Sequence, residues 1–310
     1  MSTAEHPSPA FTLPPVPRVT VIVPVFNDAR GLHACLAALA AQTYAPSRRE
    51  VVVVDNGSTD DVAAVVARFA GMRKVDEHRP GSYAARNRGI ASAEGDVLAF
   101  TDADCLPRPD WIERGIARLK ESGPHAILGG RVEVFPSDRE HATAVELYEM
   151  ATALRQQEYV ERGGFAATAN LFVPRAVFAE VGSFEDSVQS GGDVEWGQRA
   201  AAAGYRLGYA ADVRVRHPAR ATLRELRRRT CRIIGGVHAL GRTKRCRFLG
   251  IDRNALLDLV PPLRHARVVW RHPELRTFGE RLRVIAILIV VRYLEAWERW
   301  RLRCGGTPQR

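Results

Sequence analysis

The 310-residue sequence is short of the devices that mark several large classes of protein. Its five cysteines, Cys35, Cys105, Cys231, Cys246 and Cys304, are odd in number, scattered, and without a Cys-x-x-Cys pair. That pattern excludes a disulfide framework or thiolate zinc site as the organising feature, and suits a reducing, cytosolic compartment. No apolar run could cross a bilayer: the longest, Val284 to Val291, is closed off by Arg283 and Arg292, where a span needs about 20 residues. The N-terminus, Met1 to Pro17, has neither a basic start nor an apolar core, and residues 1–17 read as a flexible Pro-rich leader, not a signal peptide. Internal repeats and long low-complexity segments are missing. No Gly-x-Gly-x-x-Gly follows the first predicted strand, which removes a dinucleotide-dependent oxidoreductase. Pro24 to Arg30 also lacks the Gly-rich, Arg/Lys-containing loop expected of a nucleotidyltransferase.

What is present is an ordinary globular composition, 46% hydrophobic and 26% charged, with an unusual charge distribution. Residues 1–213 hold 21 Lys/Arg against 28 Asp/Glu, whereas residues 214–310 hold 24 against 7, so the net charge of +10 arises entirely in the C-terminal third. Basic charge so concentrated implies an anionic surface, such as phospholipid or nucleic acid, or an anionic substrate.

Strand and helix alternate through the first hundred residues. Val19 to Val25 is a β-branched run of the kind covered on both faces in a parallel sheet. A helix is predicted from Ala29 to Gln42, a strand over Val51 to Val54, a helix from Asp61 to Ala70, a short strand from Arg73 to Asp76, a helix from Ser82 to Ala93 and a strand over Val97 to Phe100. The pattern predicts a doubly wound parallel sheet whose ligands bind at the carboxyl ends of the strands. Beyond it we expect a helix to about Lys120, a strand over 127–135, one long helix from Glu140 to Glu161, a strand from Phe165 to Val173 and a short helix from Pro174 to Val181. A glycine-rich loop from Gly182 to Gly192, a helix to Gly204 and a strand pair or extended arm to His217 complete the expected core.

Asp28, Asp55 and the pair Asp102/Asp104 each fall just after a predicted strand. Two carboxylates one residue apart repel unless something positive lies between them. Oxygen ligation without a Cys or His pair favours Mg²⁺ or Mn²⁺ over Zn²⁺, and such a cation is most useful on a diphosphate. Taken alone, Asp-x-Asp is more often a solvated turn or cap. Asp193, behind Gly191 and Gly192, suits either a helix N-cap or a general base. Glu195 could contact an acceptor, whereas Trp196 reads as a packing residue. Arg86 could bind phosphate or pair with Asp102. His217 is a lone histidine whose default role is structural.

The ordered set Val21-Ile22-Val23-Pro24-Val25-Phe26-Asn27-Asp28, Val54-Asp55-Asn56-Gly57-Ser58-Thr59-Asp60, Ala85-Arg86-Asn87-Arg88-Gly89-Ile90, Thr101-Asp102-Ala103-Asp104, Val181-Gly182-Ser183-Phe184 and Gly192-Asp193 through His217 resembles the family 2 glycosyltransferases of the GT-A fold. The resemblance covers residues 18–218 and implies an α/β fold with a GT-A type doubly wound, mostly parallel sheet. It places Pro24, Asn27, Asp28, Asp55, Arg86 and Asp102 by a nucleotide-sugar, with UDP- or dTDP-sugars favoured and GDP possible. Asp102, Asp104 and His217 would hold Mn²⁺ or Mg²⁺. Asp193 would be the base of an inverting transfer to a glycan or lipid-linked acceptor, with Gly191, Gly192, Glu195 and Trp196 on the acceptor side. One departure stands out: the family usually has Glu-Asp where this chain has Gly192-Asp193. A nucleotidyltransferase-like enzyme and a nucleic-acid or anionic-surface binder are the alternatives. An acidic N-terminal half with carboxylates at three strand ends argues against nucleic acid.

Residues 219–310 form a basic helical region. Arginines beside Leu223, Leu226, Ile233 and Ile234, and a second helix from Arg281 to Arg303 ending in Tyr293, Trp297 and Trp300, suit the interface of an anionic membrane. The expected location is therefore cytoplasmic, peripheral on the inner face of the plasma membrane. A helical subdomain with arginines extended into water explains the same pattern.

Overall fold

The computed structural model describes residues 12–241, 247–248, 251–252 and 263–308; most of the predicted leader, residues 1–11, and Cys246 lie outside the described residues. Two compact units divide the chain: residues 1–133, 155–187 and 192–217 in the first, and 134–154, 188–191 and 218–310 in the second. The expected boundary near residue 218 is thus one of several crossings between the units.

The first unit is laid out around the β-branched run that forms β1 (Val19–Val25). It pairs in parallel with β2 (Arg49–Asp55) and β4 (Val97–Phe100), and β2 pairs in parallel with β3 (Met72–Asp76). Helices α1 (Ala29–Ala40), α2 (Val62–Val66) and α3 (Ser82–Ser92) make the crossovers. Leu32, Cys35, Leu36 and Leu39, spaced on one face of α1, join the strand valines in the core. The expected parallel arrangement holds for these four strands.

Beyond them the sheet is mixed. The order is β3-β2-β1-β4-β7-β6-β8-β5, where β5 is Leu106–Pro107, β6 Ala126–Phe135, β7 Leu171–Pro174 and β8 Arg206–Pro218. β7 runs antiparallel to β4 and β6, and β5 antiparallel to β8. Asn170, fully buried ahead of β7, ties this half together. Its amide donates to Arg131 O and Val213 O, both at 2.9 Å, and its Oδ1 accepts from the indole of Trp111 at 2.9 Å. Trp111 opens α4 (Trp111–Glu121).

Three local expectations change. The long helix predicted over Glu140 to Glu161 is two helices, α5 (Ala144–Thr152) and α6 (Gln156–Gly163). A Thr143/Glu146 capping box starts the first, and Leu154 at φ 48 breaks the backbone between them. The strand predicted from Phe165 shortens to β7. Gln156 reaches across to occupy the intervening loop, donating to Ala167 O and Asn170 O and accepting from Ala167 N. The strand pair or arm predicted to His217 is one continuous strand, β8. Two further helices complete this unit, α7 (Arg175–Val181) and α8 (Gly192–Ala202).

In the second unit, α5 packs with α9 (Leu223–Ala239), α10 (Leu263–Trp270) and α11 (Phe278–Arg303) around Leu147, Leu226, Val269, Leu275, Val284 and Val291. Sequence reading did not anticipate α10. Among the described residues no helix is long and apolar enough to cross a membrane. Arg139 grips Glu280 at 2.8 and 3.1 Å, and Glu280 also accepts from Arg276 N at 2.6 Å. These bonds, led by the one from Arg139, pull the Glu280 carboxyl from 4.5 down to about 2. Because the folded value is depressed, the stabilisation is complete above the unfolded value and is lost as pH falls toward the folded one. Glu280→Gln is expected to lower stability by about 2 kcal/mol at pH 7, allowing for screening, and by much less below pH ~3, checked by urea unfolding at both pH values.

Candidate functional site

At the carboxyl ends of the parallel strands each predicted aspartate finds a different local partner. Asp28 caps α1, its Oδ1 accepting from Gly31 N at 3.0 Å. A Cβ at Gly31 would lie 2.2 Å from the Asp28 carboxylate, so this cap requires glycine. Asn27, at φ 52, accepts from Thr59 N at 2.7 Å and so links the β1 and β2 ends, while Pro24, on β1, is partly exposed. Asp55 accepts from Ser58 N at 2.9 Å and lies 3.7 Å from Lys74 Nζ.

β4 delivers Asp102 and Asp104 through a tight turn closed by Cys105 N to Asp102 O at 3.0 Å. Arg86, on α3 and 5% exposed, places Nη2 2.5 Å from Asp102 Oδ1, donates to Ser82 O and lies over the Tyr83 ring. The predicted pairing of Arg86 with Asp102 is therefore present. The β5–β8 register sets Leu106 opposite Arg216, and one step further along brings His217 to the aspartate turn. His217 Nε2 lies 3.6 Å from Asp104 Oδ2.

Asp102, Asp104, Cys105 and His217 each offer a ligand atom, all within 4.8 Å of one another. Burial, reinforced by Asp102 and Asp104, holds the Cys105 thiol well above its ordinary value, so it stays protonated. The remaining donors, two carboxylates and one imidazole, fit a hard to borderline divalent cation of the Mn²⁺ or Mg²⁺ kind.

Asp193 sits at the start of α8, partly buried, and accepts from the Tyr83 hydroxyl at 3.1 Å. Desolvation raises its carboxyl above the ordinary value; the Tyr83 hydrogen bond and the Arg86 charge oppose that rise. A Cβ at Gly192 would approach the Tyr83 ring to 2.9–3.0 Å, so the ring fills space at the position where the family usually has an acidic residue. Gly191, at φ 88, needs its conformational freedom. Glu195 pairs with Arg199 at 2.6 Å and lines an open cleft of about 630 Å³ with Arg79, Asn87 and Asp186.

Trp196 departs from its acceptor-side placement. It is 2% exposed, stacks on Phe178 at 4.8 Å and donates its indole N–H to Gly182 O at 2.8 Å, which makes it a core residue. Sequence reading assigned no role to Tyr83. Its position three residues before Arg86, on the same face of α3, was the available signal. Asn87 was likewise unassigned, although its side chain donates to Phe184 O at 2.9 Å and accepts from Phe184 N at 3.0 Å, fastening the loop after α7.

A sequence model described as Glycosyl transferase family 2 matches residues 20–182, more than half of the chain. The chain is a family 2 glycosyltransferase. Over 211 residues it is 41% identical to glycosyltransferase AglE of Haloferax volcanii, covering 66% of this chain and 68% of that protein. It is 28% identical to the pre-mycofactocin glycosyltransferase of Mycobacterium tuberculosis over 231 residues, 72% of this chain and about half (47%) of that one. Among solved structures, the fold is shared with the mannosyltransferase PcManGT of Pyrobaculum calidifontis in complex with GDP-Man and Mn²⁺. That likeness has TM-score 0.58 and 23% identity, covering 93% of this chain and 86% of that chain. S. aureus TarS 1–349 in complex with UDP-GlcNAc matches at TM-score 0.55 and 17% identity, over 93% and 92% of the two chains. Family membership decides against the nucleotidyltransferase and non-enzymatic alternatives.

In this glycosyltransferase the Gly192–Tyr83 contact is expected to be energetically coupled. Gly192→Ala should destabilise wild type yet cost less in a Tyr83→Ala background, with a coupling of about 0.5 kcal/mol or more in a double-mutant cycle read by urea unfolding.

Proposed function

We propose that residues 18–218 carry an inverting glycosyl transfer from a nucleotide-diphosphate-sugar to an acceptor hydroxyl, with Asp193 as general base. The observation that carries this reading is a partly buried carboxylate of raised proton affinity, held by Tyr83 at the mouth of a helix. Asp193 takes the acceptor proton as the acceptor oxygen bonds to the anomeric carbon. The bond from that carbon to the diphosphate oxygen breaks on the opposite face, and the nucleoside diphosphate leaves with the electron pair. One displacement inverts the configuration.

Asp102, Asp104 and His217 would hold Mn²⁺ or Mg²⁺; when bound, such a cation supplies charge neutralisation for the diphosphate. Arg86 fixes one Asp102 oxygen and so orients that carboxylate. Pro24, Asn27, Asp28 and Asp55 would border the nucleotide. Asp55 suits the imide of a uracil or thymine base, and the GDP-Man and UDP-GlcNAc complexes of the structural neighbours support a nucleotide-sugar donor of either kind. Gly191, Gly192 and Glu195 would face the acceptor, a glycan or a lipid-linked hydroxyl reached from the cytoplasmic side of the membrane.

Calorimetry with UDP, dTDP and GDP, each with and without Mn²⁺, is expected to show metal-dependent binding of one nucleotide that Asp104→Ala abolishes. Absence of binding by folded protein would sink the donor assignment. Asp193→Ala should remove transfer while leaving nucleotide affinity nearly unchanged. Because Asp193 must be ionised to act, the acid limb of kcat/KM should lie above the ordinary carboxylate range. Tyr83→Phe, which deletes a hydrogen bond to the ionised form, should move that limb further up in pH. An unmoved limb would remove Asp193 from the base role.

A further inference from the structure

Helix α11 is apolar on two opposite faces, and among the described residues one of them packs inside its unit while the other is exposed. Val284, Ile287, Leu288, Val291 and Leu302 are buried in the helical core. On the other side Leu282, Ala286, Ile289, Tyr293, Trp297 and Trp300 recur at spacings of four, three, four, four and three residues, a single stripe ~27 Å long. This stripe is exposed along its length: Leu282 48%, Ile289 40%, Tyr293 46%, Trp297 57% and Trp300 53%. Trp297 and Trp300 lie against each other with ring centres 5.0 Å apart, forming one aromatic surface at the C-terminal end.

The charges on the same helix sort by sign. All three of its glutamates are held by arginines: Glu280 by Arg139, Glu295 by Arg299 at 2.8 Å and Glu298 by Arg301 at 2.6 Å. Arg281 and Arg283 donate to backbone carbonyls, Leu275 O and Ala142 O, and among the described residues no carboxylate pairs with either. At 100° per residue, Arg281 lies on one shoulder of the exposed stripe and Arg283 on the other, while Arg299 and Arg301 pair with Glu295 and Glu298. An apolar stripe with terminal tryptophans, flanked by Arg281 and Arg283 in a region that holds 24 Lys/Arg against 7 Asp/Glu, is the surface that an anionic lipid interface complements, rings at the acyl-headgroup boundary and basic side chains toward the phosphates.

From this arrangement we propose that the Leu282–Trp300 face of α11 is a membrane-docking surface, lying flat on an anionic bilayer. This surface is independent of the transfer mechanism, and only the choice of a lipid-linked acceptor ties the two together. A second copy of the chain is a poorer occupant, since it would bring two regions of the same strongly positive charge together. A nucleic acid would meet the arginines but leave Leu282, Ala286 and Ile289 uncovered.

Full-length protein is sedimented with vesicles of phosphatidylglycerol and phosphatidylcholine, and with phosphatidylcholine alone, while tryptophan emission and quenching by brominated lipid are recorded. Binding to anionic vesicles only, with a blue shift and quenching, is the expected result. The Trp297→Ser/Trp300→Ser pair should weaken partitioning about tenfold or more, and should leave nucleotide binding and transfer to a soluble acceptor unchanged. Because both side chains are exposed, the variant should fold, and circular dichroism checks that it does. No partitioning at low salt overturns the proposal. So does partitioning that the double variant retains in full, a dimer in sedimentation velocity that the double variant abolishes, or binding to duplex DNA in place of vesicles. Vesicle binding without any glycosyl transfer would leave this surface standing and refute the catalytic reading alone.

Discussion

Carboxylates gathered at one end of a parallel sheet repel one another, and the arrangement of the first unit answers that repulsion residue by residue. The N-terminus of α1 stabilises Asp28, a turn amide and Lys74 stabilise Asp55, and the buried guanidinium of Arg86 stabilises Asp102. His217 arrives beside Asp104 from the far edge of the sheet. A site of this kind keeps its carboxylates together through partners that the chain itself supplies. The low-dielectric position of Arg86 makes it the least replaceable partner: removing it would leave Asp102 without its shortest contact, and removing a single member of such a pair is severe.

The same economy of space explains the departure from the family pattern at Gly192. The tyrosine ring on α3 packs against the glycine and its hydroxyl reaches the adjacent aspartate. An acidic side chain at residue 192 would have to displace that ring. The chain therefore exchanges a second carboxylate for a neutral hydrogen-bond donor, which lowers the negative charge near Asp193 and fixes its orientation from another helix.

Much of the site was legible in the sequence because its members follow β-branched runs. Asp28, Asp55, Asp102 and Asp104 are local: a strand end and a turn suffice to place them, and Arg86 lies on the helix before β4. Asp193 was legible as a residue but not as an environment, because its partner Tyr83 is 110 positions away. Trp196 was the opposite case. Its residue type in a helix already reads as packing, and Phe178 and the Gly182 carbonyl are the core partners that hold it. The mixed half of the sheet escaped prediction for a related reason. Antiparallel strands can follow long connections of any kind, and side chains such as Gln156 satisfy backbone groups that a strand pattern would assign to a ladder.

Asn170 adds a dimension of time to this picture. It joins Trp111, Arg131 and Val213 across sequence separations of 59, 39 and 43 residues, all closed around one buried amide. The parallel pairing of β1 with β4 closes a longer span still, from Val19 to Val97. Both halves of the sheet must therefore close long spans of chain before Asp102, Asp104 and His217 can meet.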